Sequence, residues 1–344
     1  MSITKSMVKA SVLDINTGTN DSKYITPKGL QLSKYSTYGA NEIGVAGEAG
    51  FGVGICPPLL LPAGMTPMAG YTDKASDNYG NYIYSDGSVM VWIPRFYFKI
   101  EHNGTTEINK VTIKGIDTYP TEANANADGF ALHRMFIDGG DIKDGVFIDK
   151  YKWSLTGFVH GSAGIASSIK NSNPISSSVS TNRDASNNFA GSFSNCLSNS
   201  QTPTDTYGGA WSVAKTRGAN FAVMSIWISN GLALLSLAHG QASSSTINCA
   251  WYHATDNFPK GNNRSGVLND IDDATCTFSV CDDAFWATRT ETAKNGSGSA
   301  FAKTTHNGQN CGVADVNGNQ WEIVQGSTTH SSASKNLTVI SREA

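Results

Sequence analysis

The chain has 344 residues, enough for about two domains or for one domain with an extension. Hydrophobic residues make up 39% and aromatics 10%, which supports a packed core and argues against global disorder. Charged residues reach only 15%, against about 25% in average soluble domains, and the formal net charge of −3 gives no electrostatic footprint for duplex nucleic acid or an anionic membrane. With 35 glycines and abundant Ser, Thr and Asn, the surface should be loop-rich. Such a composition suits secreted, viral or cell-surface binding proteins better than a housekeeping cytosolic enzyme.

The opening MSITKSMVKASV has no apolar h-region, so no signal peptide is expected, and no run approaches the ~20 apolar residues of a membrane span. Residues 1 to about 45 are polar and lack a strong apolar period. Within them Asp21 to Leu30, DSKYITPKGL, resembles a unit repeated in phage tail fibres. The following ICPPLLLPAGMTPMAGY cannot be one helix, because Pro57, Pro58, Pro62 and Pro67 interrupt it; extended chain packed on a domain surface or between subunits is expected. The pattern changes at Ser88. Residues 1–87 are therefore expected to form an attaching or oligomerising arm, and 88–344 the main body.

Val89 to Glu101, VMVWIPRFYFKIE, is β-prone, and TEINKVTIKG repeats the habit; a hairpin across His102–Asn103–Gly104 is predicted. Phe147 to Trp153, FIDKYKW, is a further strand candidate. From Gly161 to Gly209 Ser, Asn and Thr dominate, as in a disordered stretch or a polar excursion on a globular base. Two helices are predicted, over about 209–217 and 220–239, the second with a broad apolar surface and a stop at Gly240. Short aromatic and glycine-rich pieces follow, bounded by turn residues.

The six cysteines show no CxxC pair and no zinc spacing, which favours buried free thiols and leaves a Cys276–Cys281 disulfide open. None of the seven histidines sits in a recognisable hydrolase motif. His239 is expected to cap its helix or to favour its dipole, and His306 to make a structural hydrogen bond. Asp270, Asp272 and Asp273 could hold Ca²⁺ through oxygen ligands, but their spacing is not that of an EF-hand and a solvated loop is the default.

Gly312 to Glu322, GVADVNGNQWE, carries the sharpest local signal. Asn317-Gly318 is a tight-turn dipeptide, Asp315 can cap it, and Trp321 can anchor the strand that follows. This run resembles the Gly-Val-x-Asp-x-Xaa-Gly-Asn-Val-Trp-Glu element of the formylglycine-generating enzyme family, whose fold is a variant of the C-type lectin fold. Phe147 to Tyr151, with Asp149 inside it, looks like that family's Phe-x-Ile-Asp-Lys-Tyr opening strand. The two motifs occur in the family's order and cover about Ser88 to Gly326. The resemblance implies an α+β body of C-type lectin-like fold with irregular loops, in which Asp149, Tyr151, Asp315, Asn317, Gly318, Trp321 and Glu322 are structural.

Two classes use that fold: copper-dependent oxidases, and phage or archaeal-virus receptor-binding proteins diversified by retroelements. The enzymes place their copper-binding cysteine pair after the Trp-Glu element, in a segment opening Arg-Gly-Gly-Ser. Residues 323–344 contain neither, and Cys276 and Cys281 precede the element. The passages 233–242, 257–263 and 300–315 look like those of phage tail and tip proteins. The resemblance thus implies a non-enzymatic virion tail protein that binds a host-surface protein or glycan. Other virion proteins are expected as partners, trimerisation stays open without a heptad run, and neither nucleic acid nor membrane insertion is expected. No cofactor is expected, with Ca²⁺ left open. A formylglycine-generating-type copper oxidase or a degenerate relative of it, and a purely structural tail component, are the alternatives.

Aromatics interleaved with small polar groups and Arg resemble a paratope, with rigid contact area beside adaptable hydrogen bonding. On that ground Tyr252, His253 and Asn257, then Asn262, Asn263 and Arg264, form one expected part of the contact face. Asp282, Phe285, Trp286, Thr288 and Arg289 form the other. Trp251 and Phe258 are expected in the core, and Trp286 as readily exposed as buried.

Overall fold

The computed structural model describes residues 8–9, 23–24, 41–104, 107–156, 165–172, 214–243, 277, 294–297, 304–316, 324, 327–329 and 337–339. These residues form a mixed, largely antiparallel α+β structure. Strands β1 (Val8–Lys9) and β2 (Lys23–Tyr24) make a short parallel pair. The main sheet contains β3 (Met65–Pro67), β4 (Asn81–Tyr84) and β5 (Val89–Pro94). A second sheet is built on β6 (Phe96–Asn103) and β7 (Glu107–Gly115). Helix α1 (Glu122–Ala127) leads to β8 (Ala131–Leu132), which pairs with β6, and to the small hairpin of β9 (Ile137–Asp138) and β10 (Asp141–Ile142). Next come β11 (Gly145–Asp149), β12 (Ser154–Thr156), β13 (Ile165–Ser167) and helix α2 (Ile226–Ala242). The last pair is β14 (Ser327–Thr329) with β15 (Leu337–Val339).

The main sheet runs β11-β5-β4-β3, antiparallel throughout. Alternate residues of β5 serve two cores, because successive side chains of a strand point to opposite faces. Val91 and Ile93 face the larger core, with Phe51, Val53, Ile148, Leu232, Leu235 and Ala238. Met90 and Trp92 face a smaller one, where Phe147 lies 4.8 Å from Trp92 and 5.2 Å from Tyr82, ring to ring. A strand covered on both faces reads as a continuous apolar run, which is the pattern of VMVWIP.

The predicted hairpin is present as β6 and β7, in register from Phe96↔Gly115 to Asn103↔Glu107 with a bulge at Glu101/His102, and Gly104 turns at φ +76°. Residues 89–94 belong instead to the main sheet. Pro94 lacks an N–H and closes β5, and Arg95 is held by its N–H to the Asp144 carbonyl (2.8 Å) and by a 3.1 Å ion pair to the Asp144 carboxylate.

Residues 41–87, read from the sequence as part of the arm, supply β3, β4 and the core residues Ile43, Phe51, Val53 and Ile55. Composition concealed them. In FGVGI the apolar residues alternate with glycine, and backbone takes the place of side-chain bulk. Gly80 shows why: at φ +61° it leads into β4 where a Cβ would stand 2.3 Å from the Gly54 carbonyl oxygen. Among ICPPLLLPAGMTPMAGY, Pro58–Leu60 form one 3-10 turn and Met65–Pro67 an edge strand.

Helix α2 begins at Ile226, six residues later than predicted. Ser225 is its N-cap, its side chain accepting from the Ile228 N–H at 3.1 Å. The helix passes Gly240 and ends at Ala242, so His239 is no exposed terminus. It is fully buried, its Nδ1 accepts from the Gly47 N–H at 3.0 Å, and its ring stacks on Phe51 at 5.1 Å. A ring nitrogen that accepts from a neighbouring segment replaces the expected capping role. Of the first predicted helix only 214–217 are described; residues 214–215 are helical, and the chain then turns, the Arg217 N–H donating to the Ala214 carbonyl. Among the described residues no helix is long and apolar enough to cross a membrane.

Candidate functional site

The two motifs singled out in the sequence meet in space beside the main sheet. Ala314 donates its N–H to the Lys150 carbonyl (2.8 Å), and Lys150 donates its own to Val89 (2.9 Å). FIDKYKW and TTHNGQNCGVAD are therefore laid edge to edge, and Tyr151 is buried against Ala314.

Asp149 ends β11 inside a charged cluster. The Arg217 side chain is wholly buried; its Nη1 donates to both Asp149 oxygens (2.8 and 2.6 Å) and its Nε to Asp86 (2.9 Å). Trp153 Nε1 donates to Asp149 as well, at 2.7 Å. The guanidinium lies 4.0 Å from the Phe221 ring centroid. Burial lifts the Asp149 carboxyl above the usual carboxylate range, against the pull of Arg217. This cluster fastens the chain returning from 173–213 to the sheet.

A second junction is built on Asn295, which is fully buried. Its Nδ2 donates to the Lys152 carbonyl (2.6 Å) and to Ser172 Oγ (3.1 Å). Its backbone donates to the Ser172 carbonyl (3.0 Å) and accepts from the Asn171 N–H (2.7 Å). Beside it the Lys294 N–H donates to the Thr277 carbonyl at 2.8 Å, and Ser297 Oγ donates to the same oxygen at 3.2 Å. Asp315 completes the junction. In the left-handed region at φ +55°, it accepts from the Gly296 N–H at 3.0 Å. Burial raises its carboxyl too. The carboxylate expected to cap the Asn317-Gly318 turn holds residue 296 through its Oδ2. Asn317, Gly318, Trp321 and Glu322 lie outside the described residues.

The turn 304–316 is sewn into the glycine-rich stretch 50–52. Asn307 Nδ2 donates to the Phe51 carbonyl (2.8 Å), and Gln309 Oε1 accepts from the Gly50 N–H (2.7 Å). His306 makes the structural bonds expected of it: Nδ1 accepts from the Val313 N–H at 3.1 Å, which leaves the Nε2 proton for the Gly52 carbonyl at 3.2 Å. Burial pushes its pKa down to about 4.

Cys56 and Cys311 are buried free thiols. Burial pushes Cys56 up to about 12 and raises Cys311, so neither is poised as a thiolate nucleophile. Among the described residues no group of three or more His, Cys, Asp or Glu is disposed to hold a metal ion. The bonds of Arg217, Asn295 and Asp315 fix residues 172, 217, 277 and 294–296 against the sheet and one another.

The expected contact residues Tyr252, His253, Asn257, Asn262, Asn263 and Arg264 lie outside the described residues. So do Asp282, Phe285, Trp286, Thr288 and Arg289, the acidic cluster at Asp270, Asp272 and Asp273, and Cys276 and Cys281. Sequence reasoning missed Arg217, Asn295 and Asn81, polar residues in polar surroundings that carry no periodic signal.

Replacing Asn295 by Ala should cost about 1–3 kcal/mol, because the Lys152 carbonyl loses a buried donor, and urea unfolding of the variant measures the loss. No family model matches the chain, and no curated protein matches it.

Proposed function

We propose that this is a receptor-binding protein of a virus or phage tail, a C-type lectin-like scaffold whose loop side chains bind a protein or glycan on a host surface and are diversified by a retroelement. One observation carries the reading. Thr277 and Lys294, which bound the stretch containing Asp282, Phe285, Trp286, Thr288 and Arg289, are hydrogen-bonded to each other on the buried Asn295–Asp315 junction. Fixing both ends of a segment lowers the ordering cost of binding through it. The residue types between those ends combine aromatic area with hydrogen-bonding groups, as binding loops require. On this reading, substitutions there change the contact surface while the fold is kept.

Adsorption of the full chain to host cells tests this. Trp286→Ala is expected to weaken adsorption at least tenfold, since aromatic anchors are commonly worth about 2 kcal/mol or more, and Arg264→Ala is expected to weaken it as well. Adsorption untouched by both would overturn the reading.

A further inference from the structure

Lys150 and Asn81 form a buried polar pair outside the ion-pair cluster. Lys150 follows β11 and Asn81 opens β4, on opposite sides of β5. The two residues are 3% and 0% exposed. Asn81 is held in one orientation, because its Nδ2 donates to the Tyr79 carbonyl (2.7 Å) and the Cys311 carbonyl (2.8 Å). Its Oδ1 is thereby turned to Lys150 Nζ, which stands 2.5 Å away. Lys150 Nζ also donates to the Asp77 main-chain carbonyl at 3.2 Å.

We propose that Lys150 and Asn81 form an intramolecular amide cross-link that ties β11 to β4 across the central strand. A small rotation of the lysine end carries Nζ from Oδ1 toward Cγ, one bond further on. The uncharged amine attacks Cγ, the Nζ–Cγ bond forms, and negative charge gathers on Oδ1. A proton leaves Nζ and passes to Nδ2, the Cγ–Nδ2 bond breaks, and ammonia departs. No oxidant, metal or cofactor enters the balance.

The Asp77 carboxylate, which accepts from Asn310 Nδ2 at 3.0 Å at the solvent edge, acts electrostatically on Lys150. Burial pushes Lys150 down to about 8, so on the order of a tenth of the amine is uncharged at neutral pH. Exclusion of water from the pair protects the product from hydrolysis.

The mass of the purified full-length protein in denaturant tests the proposal. The expected mass is lighter than the sequence by one ammonia, and digestion should yield a branched peptide joining the segments of Asn81 and Lys150. That peptide separates the cross-link from ammonia loss elsewhere. Asn81→Ala and Lys150→Arg should each restore the full sequence mass, a readout that does not depend on how well the variants fold. A wild-type protein at full sequence mass, with Lys150 open to acylation in denaturant, would overturn the proposal; so would a lighter mass that persists in Asn81→Ala.

Discussion

Arg217→Ala should destabilise the protein by about 3–5 kcal/mol, the cost of leaving a buried charge without its partner. Here two carboxylates are left, with the Asp86 and Asp149 side chains only 15% and 16% exposed. The cation that bridges them is also the one stacked on Phe221. Against a total stability of about 5–15 kcal/mol the loss is large. The denaturant midpoint should fall steeply. Adding Asp149→Asn should recover part of the loss, because it removes one of the stranded charges, and a double-mutant cycle would read this as strong coupling between the two positions.

Acid should weaken the fold over a defined window. His306 titrates at about 4 in the folded protein and near 6.5 when unfolded. The unfolded chain therefore takes up the proton first. The stabilisation is complete above pH 6.5 and is lost as pH falls toward 4, a change of about 3 kcal/mol. Burial lowers His133 as well, and its contribution runs in the same direction. The raised carboxyls of Asp149 and Asp315 run oppositely: protonation is easier in the folded state, so their contribution favours folding at low pH. The His306 contribution is isolated by following wild type and His306→Gln across the same pH range. The gap between their stabilities should shrink from pH 7 to pH 4, and a constant gap would show that His306 is not held neutral.

How far the fold was legible in the sequence depended on whether burial left a periodic trace. The β6–β7 hairpin was readable because β-prone side chains run through it, whereas of the strand expected over 147–153 only 147–149 belong to β11, and 150–153 leave the sheet. FGVGI was not, since glycine occupies the alternate positions and core membership there rests on Phe51, Val53 and Ile55 alone. The start of α2 was placed six residues early because Phe221 and Val223 extend the apolar run, whereas Ser225 sets the boundary through one hydrogen bond. The polar junctions left no trace at all. Arg217 lies 68 residues from Asp149 and 131 from Asp86, and Asn295 lies 143 from Lys152. Pairings at such separations are set by topology, which a single sequence does not display. The motif pair at 147–151 and 312–322 did indicate which segments matter, since Lys150 and Ala314 are joined backbone to backbone.

On the proposed function, the scaffold and the binding surface make opposite demands on substitution. Asp149, Arg217, Asn295 and Asp315 hold segment ends through buried polar bonds, so changes there act on folding. Exposed loop positions usually shift stability by no more than about 0.5 kcal/mol. On the proposed function, changes at 282–289 should act on recognition.

Adsorption and melting temperature measured together, over single substitutions at Asp282, Phe285, Trp286, Thr288 and Arg289, test that separation most directly. The predicted outcome is adsorption spread over roughly thirtyfold or more while melting temperatures stay within about 2 °C. Adsorption that simply follows melting temperature from variant to variant, or that does not vary, would contradict the account.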